Sequence, residues 1–267
     1  MKTTAIFAIA LLPLLASGAP KEIDREKLNQ IVREIQRADY ADERTVLQKC
    51  YEDLTPFLAD EQVAARVRYW RGFAQWRNTI NGFNDLADPK ELDQLATQAI
   101  AEFKEALAKD PAFVDAKVGI LGCLGNLLFI HRNEPDRNLE LQKQMSSLAE
   151  EIKAAAPDNP RVIWIVGGVI RRASPEKGGG LDKSIENYQR GLEICSKIKP
   201  SSDPLEPSWG KPELMMSLAA SQLMKNPPDT AAAERNARGA LEIVPYWHYV
   251  RDLLLPGIVT AKIINKA

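Results

Sequence analysis

The segment QLATQAIAEFKEALAKDP, residues 94–111, decides the fold predicted for this chain. Within it, Ala99, Phe103, Ala106 and Pro111 follow one another in a small–large–small–proline order. Residues at i, i+4 and i+7 share one face of a helix, so the two alanines let a neighbouring helix approach while the phenylalanine fills the gap. The proline cannot continue the helix. The segment therefore predicts a helix that packs on another helix and then stops.

The same spacing returns three more times, at intervals of 46, 39 and 49 residues. One copy has Ser196 where the others have proline. This pattern resembles the second helix of tetratricopeptide (TPR) repeats, whose period is about 34 residues, so the resemblance implies a TPR-like array with elongated helices and inserted loops over residues 60–256. The three further copies are Met145, Ala149, Ile152 and Pro157; Ser184, Tyr188, Gly191 and Ser196; and Ala233, Ala237, Ala240 and Pro245.

Composition is that of an ordinary globular protein, with 45% hydrophobic and 27% charged residues. Lys and Arg total 35 against 36 Asp and Glu, so nothing favours a nucleic-acid or anionic-membrane surface. No segment shows the alternation typical of strands. We therefore predict an all-α, TPR-like superhelix, or solenoid, of about five irregular helical hairpins.

Hydrophobic periodicity places the helices of these hairpins, with Asp24 and Asp88 as N-caps. The segment 199–212, rich in proline around Trp209, is predicted to be the longest irregular stretch. The predicted pairs are 23–36 with 42–58, 60–85 with 89–109, 113–130 with 137–156, 161–172 with 181–197, and 212–225 with 229–243, followed by a short C-terminal helix.

The first residues are typical of a cleavable signal peptide. Lys2 precedes an apolar run, residues 5–15, that is too short to span a bilayer, and Ala16 and Gly18 are small residues suited to a cleavage site. We expect a signal peptide at 1–18, a single TPR-like domain at 19–267, and a periplasmic or secreted protein. An uncleaved membrane anchor is the alternative.

Metal and disulfide chemistry is not indicated. Cys50, Cys123 and Cys195 are far apart and odd in number, and no CxxC pattern occurs. At most one disulfide could form in an oxidising compartment, and three buried free thiols are the favoured interpretation. His131 and His248 stand apart from any carboxylate cluster, which argues against a metal enzyme. No cofactor is predicted.

Two segments carry a further resemblance. Gly178, Gly179 and Gly180, followed by the helix that begins at Leu181 and Asp182, resemble the inter-helix loop of TPR-like periplasmic proteins, which include the T-component associated with TRAP transporters. The turn 209–213 and the tail 245–256 resemble bacterial secreted TPR-like proteins. The glycines also suggest an anion cradle before a helix N-terminus, but a plain connector is the favoured interpretation.

Several side chains are candidates for a ligand site on the concave face. A wall formed by Trp70, Trp76, Arg77, Asn81 and Asn84 suits a small apolar ligand or a peptide. The favoured alternative is that the aromatic residues belong to the core, while the arginine and asparagines cap neighbouring helix ends.

Three more candidates lie nearer the C-terminus: Trp209, His248 and Arg251. His248, Arg251 and Asp252 have side chains used in catalysis, but no serine or cysteine motif accompanies them. Docking of the tail onto the array is the favoured interpretation.

The function predicted from these observations is that of an exported TPR-like binding or scaffold protein that mediates protein–protein or peptide interaction without catalysis. The alternative is a periplasmic, small-ligand-binding accessory component of a solute transporter of the TRAP type. An enzyme is a third hypothesis. The expected partner is a protein, a peptide or a small ligand; no nucleic acid is expected, and no stable membrane insertion after signal cleavage.

Overall fold

The computed structural model describes residues 24–199 and 201–264, and this part of the chain forms eleven α-helices and no β-strand. Short 3₁₀-helices at Thr55–Ala59 and Pro175–Lys177 and a π-helix at Tyr249–Leu254 complete it. The α-helices are α1 (Arg25–Ala41), α2 (Arg44–Asp53), α3 (Ala64–Asn84), α4 (Pro89–Lys109), α5 (Val114–Ile130), α6 (Pro135–Ala155), α7 (Pro160–Arg172), α8 (Leu181–Cys195), α9 (Lys211–Leu223), α10 (Thr230–Ile243) and α11 (Leu255–Ile264).

Consecutive helices pack in five pairs, α1 with α2 through α9 with α10, and α11 packs against α10. The predicted all-α TPR-like solenoid is confirmed. The first pair differs most from its predicted bounds. Helix α1 continues to Ala41 and ends where Asp42 takes a left-handed conformation, at φ 63°. Helix α2 ends at Asp53, because Pro56, which lacks an N–H, starts a 3₁₀ turn.

The first three repeated positions of every copy face the core, and the fourth, proline or serine, is exposed. Each copy lies in the second helix of a pair: α4, α6, α8 or α10. Phe103 is fully buried between the helices, and the small residues on either side of it have no exposed surface. The register predicted from the spacing is therefore the register of the fold. The buried positions are Ala99, Phe103 and Ala106; Met145, Ala149 and Ile152; Ser184, Tyr188 and Gly191; and Ala233, Ala237 and Ala240.

Two glycines of α5 allow aromatic rings to lie against the helix backbone. A Cβ atom at Gly119 would stand 2.2 Å from the Phe103 ring, and one at Gly122 would stand 2.2 Å from the Trp76 ring. Contacts that short are impossible, so any larger residue would push these rings out of the core. The glycines thus couple α5 to the aromatic side chains of α3 and α4.

The irregular segment between α8 and α9 fills part of the concave face. Leu205 and Trp209 are both buried in the main core. The Trp70 indole donates to the Leu205 carbonyl at 2.8 Å, and the Trp209 indole donates to the Tyr69 hydroxyl at 2.9 Å. The loop therefore occupies the space in which an open array would present a groove beside Trp70.

The two ends of the array touch. Tyr40, near the end of α1, packs against Trp247, which follows α10, with ring centroids 4.9 Å apart. Its hydroxyl donates to Glu213 of α9 at 2.6 Å. Beside them, Nδ1 of His248 lies 3.0 Å from Oδ2 of Asp42. These contacts close the superhelix into a cup.

The predicted signal peptide, residues 1–18, lies outside the described residues. Between residues 24 and 264, leaving out 200, no helix is long and apolar enough to cross a membrane. All three cysteines are free thiols: Cys50 and Cys123 are buried, and Cys195 is partly buried.

Candidate functional site

A pocket of about 460 Å³ opens on the concave face, beside the part that the loop fills. Helices α3, α5 and α7 line it with their C-terminal halves, and α9 lines it with its middle turns. Each of these four helices is the first helix of its pair, and the first helices line the inner face of the superhelix. The segment after α10 closes one side through Trp247 and Tyr249.

The walls of the pocket are mainly apolar. Trp76 and Trp164 lie with ring centroids 6.1 Å apart, and both belong to the aromatic cluster that surrounds Trp209. At the outer end, Phe83 and Phe129 meet edge to face at 5.3 Å. Rigid aromatic walls of this kind give a ligand contact area at low entropic cost. The remaining apolar wall residues are Ile80, Leu121, Met145, Ile165, Val169, Met216 and Ala220.

A buried ionic cluster forms the base of the pocket. Nε of Arg77 donates to Asp39 at 2.7 Å, and its NH2 group donates to Glu213 at 3.0 Å. Glu213 also accepts from the Gly210 amide at 2.8 Å and from the Tyr40 hydroxyl. Every one of these polar groups therefore has a partner, as buried charges require.

Burial raises the pKa values of two side chains in this cluster. The pKa of Asp39 is raised to about 6, mainly because burial disfavours its charged form; Arg77 opposes the rise and Glu213 adds to it. The pKa of Tyr40 is raised well above its ordinary value by burial and by the charge of Glu213. The cluster thus holds one cation between two carboxylates, and one of these carboxylates takes up a proton near pH 6.

Two arginines stand at the other side of the pocket, in the last turn of α7. Arg171 and Arg172 both line it, and neither forms an ion pair with any residue that the structure describes. The pKa of Arg172 is lowered from its ordinary value, first by partial desolvation and then by the charge of Arg171. This side of the pocket is therefore positively charged.

Two donors in the wall have no hydrogen-bond partner among the described residues: the indole N–H of Trp76 and the side-chain amide nitrogen of Asn126. Both residues line the pocket. Buried donors are normally satisfied, and leaving one unpaired costs about 1–3 kcal/mol. Both nitrogens have almost no accessible surface, so an occupant with hydrogen-bond acceptors would reach them only after a movement of the wall side chains.

The structure brings four of the candidate residues of α3 together: Trp76, Arg77, Asn81 and Asn84 line the pocket. Trp76 is also core, only 1% exposed, and Arg77 forms the ionic base. The Asn81 amide donates to the Asp39 carbonyl at 3.0 Å. These residues therefore serve both the core and the pocket wall.

The other candidates lie elsewhere. Trp70 is fully buried under the loop. Trp209 supports the wall from behind and borders a second, open depression of about 370 Å³. His248 contacts Asp42, and Arg251 pairs with the adjacent Asp252 at 2.7 Å, its side chain 50% exposed. His248 therefore joins the tail to the array, Arg251 pairs within the tail, and neither lines the main pocket.

The Gly178–Gly180 loop uses its backbone donors internally. Its three amides donate to the carbonyls of Pro175, Ser174 and Ile170, at 2.9, 3.1 and 2.9 Å. None of the three glycine N–H groups remains for an anion, so these glycines form a connector. Within the described ranges, no group of three or more His, Cys, Asp or Glu side chains is placed to hold a metal ion.

The charged residues Asp39, Glu213, Arg171 and Arg172 were not predicted from sequence. Asp39 and Glu213 are distant in the chain and meet only because the superhelix closes. Arg171 and Arg172 are the last two residues of the mainly apolar helix α7. Two adjacent cations at the end of an apolar helix are the local feature from which this part of the site could have been predicted.

No family model matches this chain, and no curated protein matches it. The solved structures that are similar in fold include two helical proteins. The HusA haemophore from Porphyromonas gingivalis is 16% identical, with a TM-score of 0.58 over 73% of this chain and 92% of its own. A TPR protein from the thermophile Thermus thermophilus is also 16% identical, with a TM-score of 0.53 over 90% of this chain and 100% of its own. At this identity the similarity concerns the fold.

Proposed function

We propose that this chain is a non-catalytic binding protein that holds a compact ligand in the pocket of its closed superhelix. The observation that carries the proposal is the pocket itself, walled by the first helices of four pairs and by the segment after α10. Its volume of about 460 Å³ is that of a small-molecule site. The fold shared with a haemophore supports the proposal, because that protein's name denotes the binding of a small cofactor.

Closure favours a compact occupant over an extended peptide. A peptide laid along a TPR-like superhelix needs an open groove across several repeats. Here Leu205 and Trp209 fill one part of the concave face, and contact between Tyr40 and Trp247 closes the array. The same geometry suits the role of a ligand-binding accessory component of a TRAP-type transporter.

The pocket can be tested with a neutral fluorescent probe, N-phenylnaphthylamine, which brightens in apolar surroundings. A Cβ atom at Gly168 would meet no atom within 4 Å, and this glycine lines the pocket, so Gly168→Phe places a ring in the cavity without a clash at its root. Gly257→Phe on α11 is the matched control, because its Cβ is equally unobstructed and lies outside the pocket.

We expect saturable binding of one probe molecule per chain, a loss of about tenfold or more in affinity for Gly168→Phe, and no change for Gly257→Phe. Far-UV circular dichroism checks that both variants are folded. Absence of binding to the wild-type protein, or equal binding to both variants, would reject the pocket as the functional site.

A second candidate function is binding of a peptide or protein at the rim. Phe129 at the outer end of the pocket is 53% exposed, and Leu86, just after α3, is 91% exposed. A partner that buries these side chains would lose affinity on Phe129→Ser with Leu86→Ser. Displacement of the probe from the wild-type protein by short apolar peptides, abolished in this double variant, would favour this function over the first.

We also propose that residues 1–18 direct export and are removed. The supporting pattern is the sequence of Lys2, the apolar run 5–15 and the small residues that follow. Expression in an exporting bacterial host, with N-terminal sequencing of the soluble periplasmic protein, should begin at Ala19. A protein that keeps Met1 and stays with the membrane fraction would contradict the proposal.

A further inference from the structure

We infer that the pocket binds an amphipathic anion, with its apolar body between the aromatic walls and its acidic group against Arg171 and Arg172. This inference rests on the proposed ligand-binding function and adds the chemical class of the ligand. The class comprises small molecules with an apolar body and one carboxylate, sulfonate or phosphate group.

The first argument is the contrast between these arginines, of which Arg171 is partly buried and Arg172 exposed, and the more deeply buried arginines of the chain. Arg77 forms an ion pair with Asp39 at 2.7 Å, and Arg161 forms one with Asp115 at 2.5 Å. Arg66 likewise pairs with two carboxylates, and Arg71 with one. Arg171 and Arg172 stand side by side at a cavity without such a partner in the described chain. A ligand anion would supply the missing charge.

The electrostatics of the helix end explains in part why two arginines stand at the end of α7. Cations in the last turn of a helix interact favourably with its carbonyl end, and this alone would place arginines here. A guanidinium carries five N–H donors, however, and the one acceptor found for this pair among the described residues is the Met224 sulfur, 3.8 Å from Arg171. Most donors are therefore left for water or for a ligand.

The second argument is the sign of the unsatisfied groups in the wall. The two buried polar atoms of the lining that lack a partner, at Trp76 and Asn126, are donors. Among the described lining residues no buried side-chain acceptor lacks a partner. These groups match acceptor atoms, which anionic groups carry, and because both nitrogens are almost without accessible surface a ligand would contact them after a movement of the wall side chains.

The acidic residues at the base oppose an anion near α7 only in part, because Arg77 offsets one of their two charges. Oδ2 of Asp39 accepts from Arg77, while Glu213 accepts from Arg77, Tyr40 and the Gly210 amide. Their charge is directed toward the buried guanidinium. Since three arginines and two carboxylates line the pocket, its formal charge is positive when all are ionised.

A matched pair of probes tests the inference. Anilinonaphthalene sulfonate has the same aromatic body as N-phenylnaphthylamine and adds one sulfonate. The test variant is the double substitution Arg171→Gln with Arg172→Gln. The control, Arg190→Gln with Arg238→Gln, removes the same two charges from exposed side chains that do not line the pocket.

We expect the test variant to lose affinity for the sulfonate by about tenfold or more and to lose far less for the neutral probe, since only the charged group contacts the arginines. The control should bind both probes as the wild-type protein does. Raising the salt concentration should weaken binding of the sulfonate probe to the wild-type protein more than it weakens binding of the neutral probe.

The outcomes separate this inference from the function on which it rests. Suppose that both probes bind the wild-type protein and that Gly168→Phe blocks both. If the test variant and added salt then change the affinities for the two probes equally, the pocket function stands and the anionic class of ligand is wrong. If neither probe binds the wild-type protein, both proposals fail. Equal loss in the test and control variants would show a general charge effect and would also overturn the inference.

Discussion

Tyr40 and Trp247 pack edge to face, with ring centroids 4.9 Å apart, although they belong to opposite ends of the helical array. The contact joins the first helix to the segment after the tenth and converts an open superhelix into a cup. It also places Trp247 in the wall of the pocket. The site therefore depends on closure of the whole array.

Removal of this closing contact should affect stability and binding together. Trp247→Ala deletes a ring that is 7% exposed, and we expect a loss of about 3 kcal/mol or more in the free energy of unfolding. Binding of N-phenylnaphthylamine should weaken as well. The neighbouring Tyr246, 43% exposed, provides the control, because Tyr246→Ala should change either quantity little. Urea unfolding and probe titration measure the two effects, and similar losses in both variants would contradict the closure.

The core position of Phe103 gives a second prediction. Its ring is fully buried and lies against the backbone of Gly119. Phe103→Ala should cost about 3–5 kcal/mol in urea unfolding. Phe129→Ala, at an exposed ring, should cost under about 1 kcal/mol. A small loss at Phe103 would mean that the repeat register is wrong.

Two adjacent glycines of α7 give a third prediction. A Cβ atom at Gly167 would lie 2.2 Å from the Tyr188 ring, while one at Gly168 meets no atom within 4 Å. Gly167→Ala should therefore destabilise the fold by about 1–3 kcal/mol through overpacking. Gly168→Ala should stabilise it by up to about 1 kcal/mol, because alanine favours a helix more than glycine does. Thermal unfolding compares the two, and equal midpoints would refute the packing described for α7 and α8.

The raised pKa of Asp39 predicts a pH dependence. The folded-state pKa of about 6 exceeds that of the unfolded chain, so the folded state binds the proton more tightly. The contribution of Asp39 to stability is thus fully present at low pH and declines as the pH rises through about 6, by on the order of 2–3 kcal/mol. Carboxylates with lowered pKa values, such as the partly buried Glu234, act in the opposite direction at lower pH.

Asp39→Asn isolates this effect. Urea unfolding of both proteins at intervals from pH 4 to pH 7 should show that the wild-type protein loses stability relative to the variant as the pH rises. Arg77, Glu213 and Tyr40 remain in place in both. Parallel curves would show that Asp39 titrates in the folded protein as it does in the unfolded chain.

Much of the fold was predictable because its signals are local. The positions Ala99, Phe103 and Ala106 share a helix face by virtue of spacing alone, and Asp88 caps α4 by accepting from the Lys90 amide at 2.9 Å, as expected. Four candidate site residues of α3 also lie at the pocket, because an aromatic and polar edge on one helix is visible in a sequence. The position of Trp209 was not predictable, since it depends on where a long loop crosses the array.

The sequence by itself determined the all-α TPR-like architecture and the buried face of each second helix, since helical periodicity and proline stops act within a few residues. Tertiary structure alone decided that the array closes, that the 199–212 loop fills part of its interior, and that Arg77 is held between Asp39 and Glu213. These features depend on small rotations between successive helix pairs, which add up along the chain. No short stretch of sequence specifies that sum, and the pocket exists only as its result.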